Sequence, residues 1–398
     1  MINDYFFLFY VYLPSLKTYR IAYLTETSPD DKHAWSGTVH YIHQALKNEG
    51  HFVIPLGPKQ PKFIGFICKV INQLSLKILN KRFDYRHSKI YSKEFGRLFA
   101  NELKNINYDI VVACGGTEYV AYLKSTKPIF IIVDRTIEGA LGYHSILSNL
   151  LKFSKNQSIE TDKKAMLESS KVFFSSDWAA DHAKKYYNLP NSKTCVLPFG
   201  ANLDVVPEKD FVINYKKSND CNLLLIGTHW DNKGADIAIN ALNCLNKMGI
   251  NTHLTIVGCI PPMPISNNNI NNISFINKNN QSGLAQMEEL FLKNNFFILP
   301  TRFEAYGIVF CEASAYGLIS VTSNTGGIPT VVKNGVNGFL MPIEDQGKLY
   351  AEKIAEIYLD KTKMKELNLS SRNFYEETLN WKAWAKKFTE EINKSVNH

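Results

Sequence analysis

Short apolar runs of strand length recur along most of the chain, separated by stretches with amphipathic helical spacing. In the first half they fall at 20–24, 52–56, 109–114, 129–133, 172–175 and 194–198. In the second they fall at 222–227 (NLLLIG), 253–258 (HLTIVG), 273–277 (ISFIN), 296–300 (FFILP) and 318–323 (LISVTS). Continuous apolar strands alternating with helices are the mark of βαβ units, whose parallel sheets are covered on both faces. A polar stretch at 206–220 separates the two series and has linker composition. The pattern therefore predicts an α/β chain with two Rossmann-like, doubly wound domains facing a central cleft.

The expected boundaries are an N-terminal extension at 1–18, a first domain at 19–205, the linker at 206–220, a second domain at 221–375 and a closing piece at 376–398. The closing piece places Trp381, Trp384 and Phe388 at i, i+3 and i+7. That stripe is core-forming and is expected to pack back toward the first domain. The Asn-rich run after Pro264 reads as a polar loop without chemistry.

A length of 398 residues suits two domains of ordinary size, and 45% hydrophobic with 21% charged residues excludes a disordered or fibrous chain. The net charge of +8 favours anionic partners without naming one. Seven cysteines, odd in number and never in a C-x-x-C pair, read as buried thiols of a reducing, cytoplasmic compartment. The apolar run from Tyr5 to Leu13 lacks a basic leader and a small-residue cleavage site and is too short to span a bilayer.

Chemistry concentrates in PTRFEAYGIVFCEASAYG, Pro300 to Gly317. A strand ends at Pro300, a turn carries Glu304, and Gly307 opens a helix that stops near Gly317. Free N–H groups of Tyr306, Gly307 and Ile308 at a helix N-terminus on the carboxyl edge of a parallel sheet form an anion site, suited to a diphosphate. Glu304 before the turn and Glu312 within the helix can bracket an extended ligand. Two acids eight apart are also what a solvated turn and a helix surface would carry.

The context decides between these, because the stretch resembles the retaining glycosyltransferases of family 4, which have the GT-B fold. The resemblance rests on the Glu304/Glu312 pair, on GLISVTSNTGGIP (Gly317 to Pro329) and on KNGVNGFLMP (Lys333 to Pro342). Upstream, LLLIGTHWDNKGADIAINAL and FFSSDWAADHAKKYYNLPNSKTCVLPFGANLD also resemble family segments, so the likeness covers 19–342. It implies a nucleotide-sugar donor in the second domain, with Lys233 at its diphosphate, Glu304 at a sugar hydroxyl and Glu312 at ribose hydroxyls. Thr228 stands where the family usually has an Arg, so Arg302 is a candidate replacement cation, and Thr330 stands where an acid is common after GGIP. In the first domain Gly37 would let backbone approach the diphosphate or acceptor. Asp134, after the apolar run IFIIV, is a candidate acceptor contact or proton relay, against a plain helix-capping role.

No D-x-D motif occurs, so no metal and no further cofactor is expected; cationic and backbone donors would stabilise the leaving group. Retention at the anomeric carbon is what the resemblance implies. A dehydrogenase on the same layers fails for want of a G-x-G-x-x-G with a following acid. A GT-B sugar-nucleotide epimerase and a degenerate, non-catalytic glycan-binding relative remain as alternatives. Nucleic acid is not an expected partner, since no zinc-finger spacing, RNP-like strand or compact Arg cluster is present.

The basic residues gather instead between Lys59 and Lys104, eleven Lys and Arg against three acids. Within residues 62–82, Phe63, Ile67, Val70, Leu74 and Ile78 share one helical face, with Lys69, Gln73, Lys77 and Asn80 on another. Such a helix either packs its apolar face on the first domain or lies on a membrane surface, where it would bring a lipid-linked or cell-surface glycan acceptor within reach.

Overall fold

All strand pairs among the described residues are parallel, and they form two sheets of six strands each. The computed structural model describes residues 17–142, 147–278 and 280–396, so the apolar run 5–13 lies outside it. The first sheet has the order β2-β1-β3-β4-β5-β6. Its strands are β1 (Arg20–Leu24), β2 (Phe52–Pro55), β3 (Ile110–Cys114), β4 (Ile129–Val133), β5 (Lys171–Phe174) and β6 (Thr194–Val196). The second has the order β12-β11-β10-β7-β8-β9. It contains β7 (Cys221–Ile226), β8 (Thr252–Val257), β9 (Ile270–Ile273), β10 (Phe296–Leu299), β11 (Ile319–Ser323) and β12 (Gly338–Met341).

The central strands IVVAC, FFIL and ISVTS are buried along their whole length, because helices cover both faces of a parallel sheet. Chain reversal of strand order falls beside β1 in the first sheet and beside β7 in the second. At such switch points the loops after the carboxyl ends of the strands splay apart and leave a crevice.

Two expectations need correction. The Asn-rich run read as a loop contains the edge strand β9, while the predicted strand 273–277 lies mostly beyond it. An edge position with only one neighbour, β8, tolerates polar side chains, and Asn272 donates to the Cys259 carbonyl at 3.1 Å. The linker is not wholly irregular: a short helix, Lys209–Asn214, buries Val212.

Helix α2 (Lys62–Leu79), which the sequence left either packed on the domain or on a membrane surface, lies between α1 (Thr38–Asn48) and α3 (Lys89–Leu103). Phe63, Ile67, Val70, Leu74 and Ile78 do not pack on the domain but stay exposed; the buried positions are Gly65, Cys68 and Ser75, with Ile64 half-buried against the core. Small side chains let the helix lie close to α3, where a Cβ on Gly65 would come 3.3 Å from the Tyr91 ring.

The final helix, Trp381–Val396, lies against the first domain. Phe388 sets its ring 4.6 Å from that of Phe173 in β5, tilted by 46°, His51 Nε2 lies 2.8 Å from Thr389 Oγ1, and Lys171 Nζ meets Glu391 at 2.7 Å. The chain thus leaves the second domain and closes its core on the first, with Trp384 and Phe388 buried.

Candidate active site

The crevice between the two sheet edges holds a cavity of ≈ 340 Å³. Trp35, Ser36, Asp134 and Phe199 line it from the first domain; Gly227, Thr228, Lys233 and the 304–312 segment line it from the second.

Lys233 is positioned by a short turn, Trp230–Lys233, that is tied to the loop after β10. Thr301 Oγ1 donates to the Asn232 carbonyl at 2.8 Å, Arg302 N donates to the same carbonyl at 2.8 Å, and Asn232 Nδ2 donates to the Phe303 carbonyl at 3.2 Å. This clamp brings the Lys233 ammonium against the Glu304 carboxylate as an ion pair. The Glu304 loop is seated in turn by the glycine pair after β11. A Cβ on Gly326 would lie 2.1 Å from the Glu304 carbonyl and one on Gly327 1.9 Å from that of Ala305, so only glycines allow this approach.

The helix Ile308–Ala315 starts at Gly307, which has φ 88° and provides no side-chain cap. Its first N–H groups have no intrahelical acceptor, and Gly307, Ile308 and Val309 all line the cavity. Glu312, one turn in, is 3% exposed. Burial raises its pKa, opposed by Lys278, whose Nζ lies 3.4 Å from both carboxylate oxygens. The Tyr306 hydroxyl is turned away, donating to the Phe199 carbonyl at 2.7 Å.

The wall across the cavity rests on Trp35, whose Nε1 donates to Asp134 Oδ2 at 2.9 Å. Trp35 and Ser36 have φ of 49° and 56°, and Gly37 follows at 90°. Three successive left-handed residues, two of them not glycine, are strained backbone of the kind that gathers at functional loops. Gly37 itself is not among the lining residues; it is the N-cap of α1. Asp134 is not a helix cap, since Thr136 caps the next short helix by accepting from Gly139 N at 3.0 Å.

Arg302 does not take the place left open by Thr228. Its guanidinium is held by Asp236 at 3.1 and 2.8 Å and it is absent from the cavity lining. The second cation in the cavity is Lys278, which no sequence motif singles out. It directly follows the predicted strand 273–277, and a cation just past a strand end at a carboxyl edge is the signal that could have found it. Thr330 links the domains, accepting from Asp177 N and donating to its Oδ2, each at 2.9 Å. Among the described residues, no group of three or more His, Cys, Asp and Glu is arranged to hold a metal ion.

A second cavity of ≈ 320 Å³ lies wholly within the first domain, and Trp35 and Asp134 line both. It is walled by Arg86, paired with Glu26, and by His87. His87 Nδ1 lies 2.9 Å from Asp84 and Nε2 lies 3.6 Å from Glu118. Burial alone would lower the imidazole pKa, but Asp84 and then Glu118 outweigh it and push the value up to about 9. A histidine held that far above its ordinary value stabilises the fold in full below pH about 6.5 and ceases to as pH rises through about 9. The thermal unfolding midpoint should therefore fall between about pH 7 and about pH 10. His87→Gln should unfold at a lower temperature near neutrality and lose much of that dependence. Parallel decline of both proteins, followed by circular dichroism, would assign the pH response to other groups.

With the geometry established, the comparisons with known proteins become informative. The family model described as "Glycosyl transferases group 1" matches residues 207–374. Those residues form a glycosyl transferases group 1 domain. The domain takes in Lys233, Glu304 and Glu312 together, that is, the second-domain wall of the cavity. Among curated relatives, the capsular polysaccharide biosynthesis glycosyltransferase CapM of Staphylococcus aureus is 28% identical over 186 residues, covering 43% of this chain and 47% of its own. The chain spans less than half the length of the curated relatives it matches. Among solved structures, a glycosyltransferase from Rickettsia africae ESF-5 superposes with a TM-score of 0.63 at 17% identity, covering 96% of this chain and 99% of its own. Sucrose-phosphate synthase from Thermosynechococcus elongatus gives 0.66 at 14% identity, covering 95% and 99%. The group 1 domain and its partner domain thus share the two-sheet GT-B architecture of these enzymes.

Proposed function

We propose that this protein is a retaining, metal-independent glycosyltransferase that moves a sugar from a nucleotide-sugar donor to a glycan acceptor. One observation carries the reading: Lys233, Glu304, Glu312 and the open N-terminus at Gly307 converge on a single cavity at the sheet edges. The diphosphate would lie on the first N–H groups of the Ile308–Ala315 helix and on Lys233, where charge develops as the glycosidic bond breaks. The buried Glu312, steadied by Lys278, would accept from ribose hydroxyls. Glu304 would hold a donor-sugar hydroxyl once the diphosphate draws Lys233 away from it.

The acceptor would enter by the second cavity, beside Asp134 at the junction of the two. There Asp134, held by Trp35, would orient the acceptor hydroxyl or relay its proton. Departure of the nucleoside diphosphate and attack of the hydroxyl from the same face would give retention. We propose a lipid-linked or cell-surface glycan as acceptor.

A thermal-shift series of UDP-, GDP- and ADP-sugars on the purified protein tests the donor. At least one should raise the unfolding midpoint, and no response to any of them would remove the proposal. Turnover with the responding donor should survive EDTA. Full loss that manganese restores would show that a metal, not Lys233, neutralises the leaving group. An assay without acceptor separates transfer from epimerisation, because only the epimerase turns over alone.

A further inference from the structure

Helix α2 presents an apolar surface to solvent on the side opposite its packing contact. Phe63 and Ile78 are 76% and 75% exposed, Phe66 68% and Leu74 52%. At about 100° per residue, Phe63, Ile67, Val70, Leu74 and Ile78 fall on one arc. The buried Gly65, Cys68 and Ser75 fall on the arc facing the domain. Lys62, Lys69 and Lys77 lie along one flank between the two. Lys81 and Arg82 extend the positive charge just past the helix, and no Asp or Glu occurs between Gly57 and Asp84. Among the described residues none of these five cations is in an ion pair.

We propose that this face of α2 docks on an anionic lipid bilayer, with the helix lying in the plane of the headgroups. Aromatic and aliphatic side chains on one arc, with long cationic side chains beside them, suit a boundary that is apolar below and negative at its surface. A soluble protein partner would require acids facing the lysines and a shaped apolar groove; a bilayer requires neither. No helix among the described residues is long and apolar enough to cross a membrane, so this contact is peripheral.

The chain continues from α2 into the segment carrying Arg86 and His87, which walls the second cavity. A bilayer under α2 would therefore lie close to that cavity and favour an acceptor held in the membrane. This consequence rests on the transferase reading; the docking itself does not.

The probe is vesicles of phosphatidylcholine with roughly a third phosphatidylglycerol, compared with phosphatidylcholine alone. The full chain should sediment with the first and not the second, and the bound fraction should fall as salt shortens the reach of the charges. Phe63→Asp/Phe66→Asp/Leu74→Asp, all at exposed positions, should weaken binding at least about tenfold with an unchanged circular dichroism spectrum. Lys69→Glu/Lys77→Glu should abolish the preference for anionic lipid. A full chain that stays in the supernatant with anionic vesicles overturns the proposal. So does a triple variant that binds as well as wild type. Sedimentation velocity then identifies a rival occupant: a dimer that the triple variant breaks shows a second copy on the face. Donor-induced thermal shifts are read separately, so loss of vesicle binding leaves the catalytic proposal standing, and the reverse.

Discussion

Lys233→Ala is expected to lower sugar transfer at least about a hundredfold with donor saturating. The leaving nucleoside diphosphate gains negative charge in the transition state, and removing one preorganised donor to such charge costs about 2.7–4 kcal/mol. The structure sharpens the expectation in two ways. Arg302, the other cation the sequence offered, is bound to Asp236. Lys278, the remaining cavity cation, faces Glu312. Lys233 is thus left as the cation at the Glu304 end.

Its side chain also packs on Gly227, where a Cβ would meet Lys233 Cγ at 2.5 Å, so Ala removes packing as well as charge. Lys233→Met keeps most of the aliphatic stem and should lose activity to the same degree if the charge is responsible. Thr228→Arg, which adds a cation at a lining position, should leave activity equal or higher. A Lys233→Ala protein that is folded by circular dichroism and keeps more than about a third of wild-type turnover would move the diphosphate elsewhere.

Glu304→Gln is expected to reduce turnover about ten- to a hundredfold while leaving the fold intact. Gln keeps the shape of the side chain but weakens a hydrogen bond of a charged acceptor, worth about 1.5–3 kcal/mol. The ion pair with Lys233 adds a second, opposite expectation for ligand binding. In the structure the Glu304 carboxylate is paired with the ammonium that the diphosphate would need. Neutral Gln releases it, so the variant should bind free nucleoside diphosphate as tightly as wild type or more so. Calorimetry of nucleoside diphosphate binding beside steady-state transfer rates distinguishes the outcomes. Unchanged turnover would deny Glu304 its place at the donor sugar. Weakened nucleotide binding would mean that the carboxylate supports the phosphate site instead of competing for its lysine.

Much of this molecule follows from local pattern. Short apolar runs such as IVVAC and FFIL, β-branched or aromatic in content and alternating with amphipathic helical stretches, suit strands buried on both faces of a parallel sheet, so the two-domain α/β layout was legible from the pattern. The turn around Glu304 and the helix starting at Gly307 were legible for a related reason: strand end, turn and glycine lie within a few residues, and local geometry needs no partner. Lys233, Glu304 and Glu312 were nameable because their segments resemble a family, not because spacing alone distinguishes them from surface charges.

What stayed hidden depends on contacts between segments far apart in the chain. The strand at Ile270–Ile273 is half polar in sequence and exists because its neighbour β8 supplies hydrogen bonds to it at the sheet edge. Whether Arg302 or Lys278 faces the cavity is decided by Asp236 capturing one and Glu312 the other, across 66 and 34 residues of sequence. Trp35 reaches Asp134 across 99 residues and turns two loops into one wall. For α2 the sequence determined an amphipathic helix with one apolar arc. Only the tertiary structure decided which arc the domain covers, because Gly65, Cys68 and Ser75 permit a closer approach to α3 than the larger side chains, and that leaves the apolar arc facing outward.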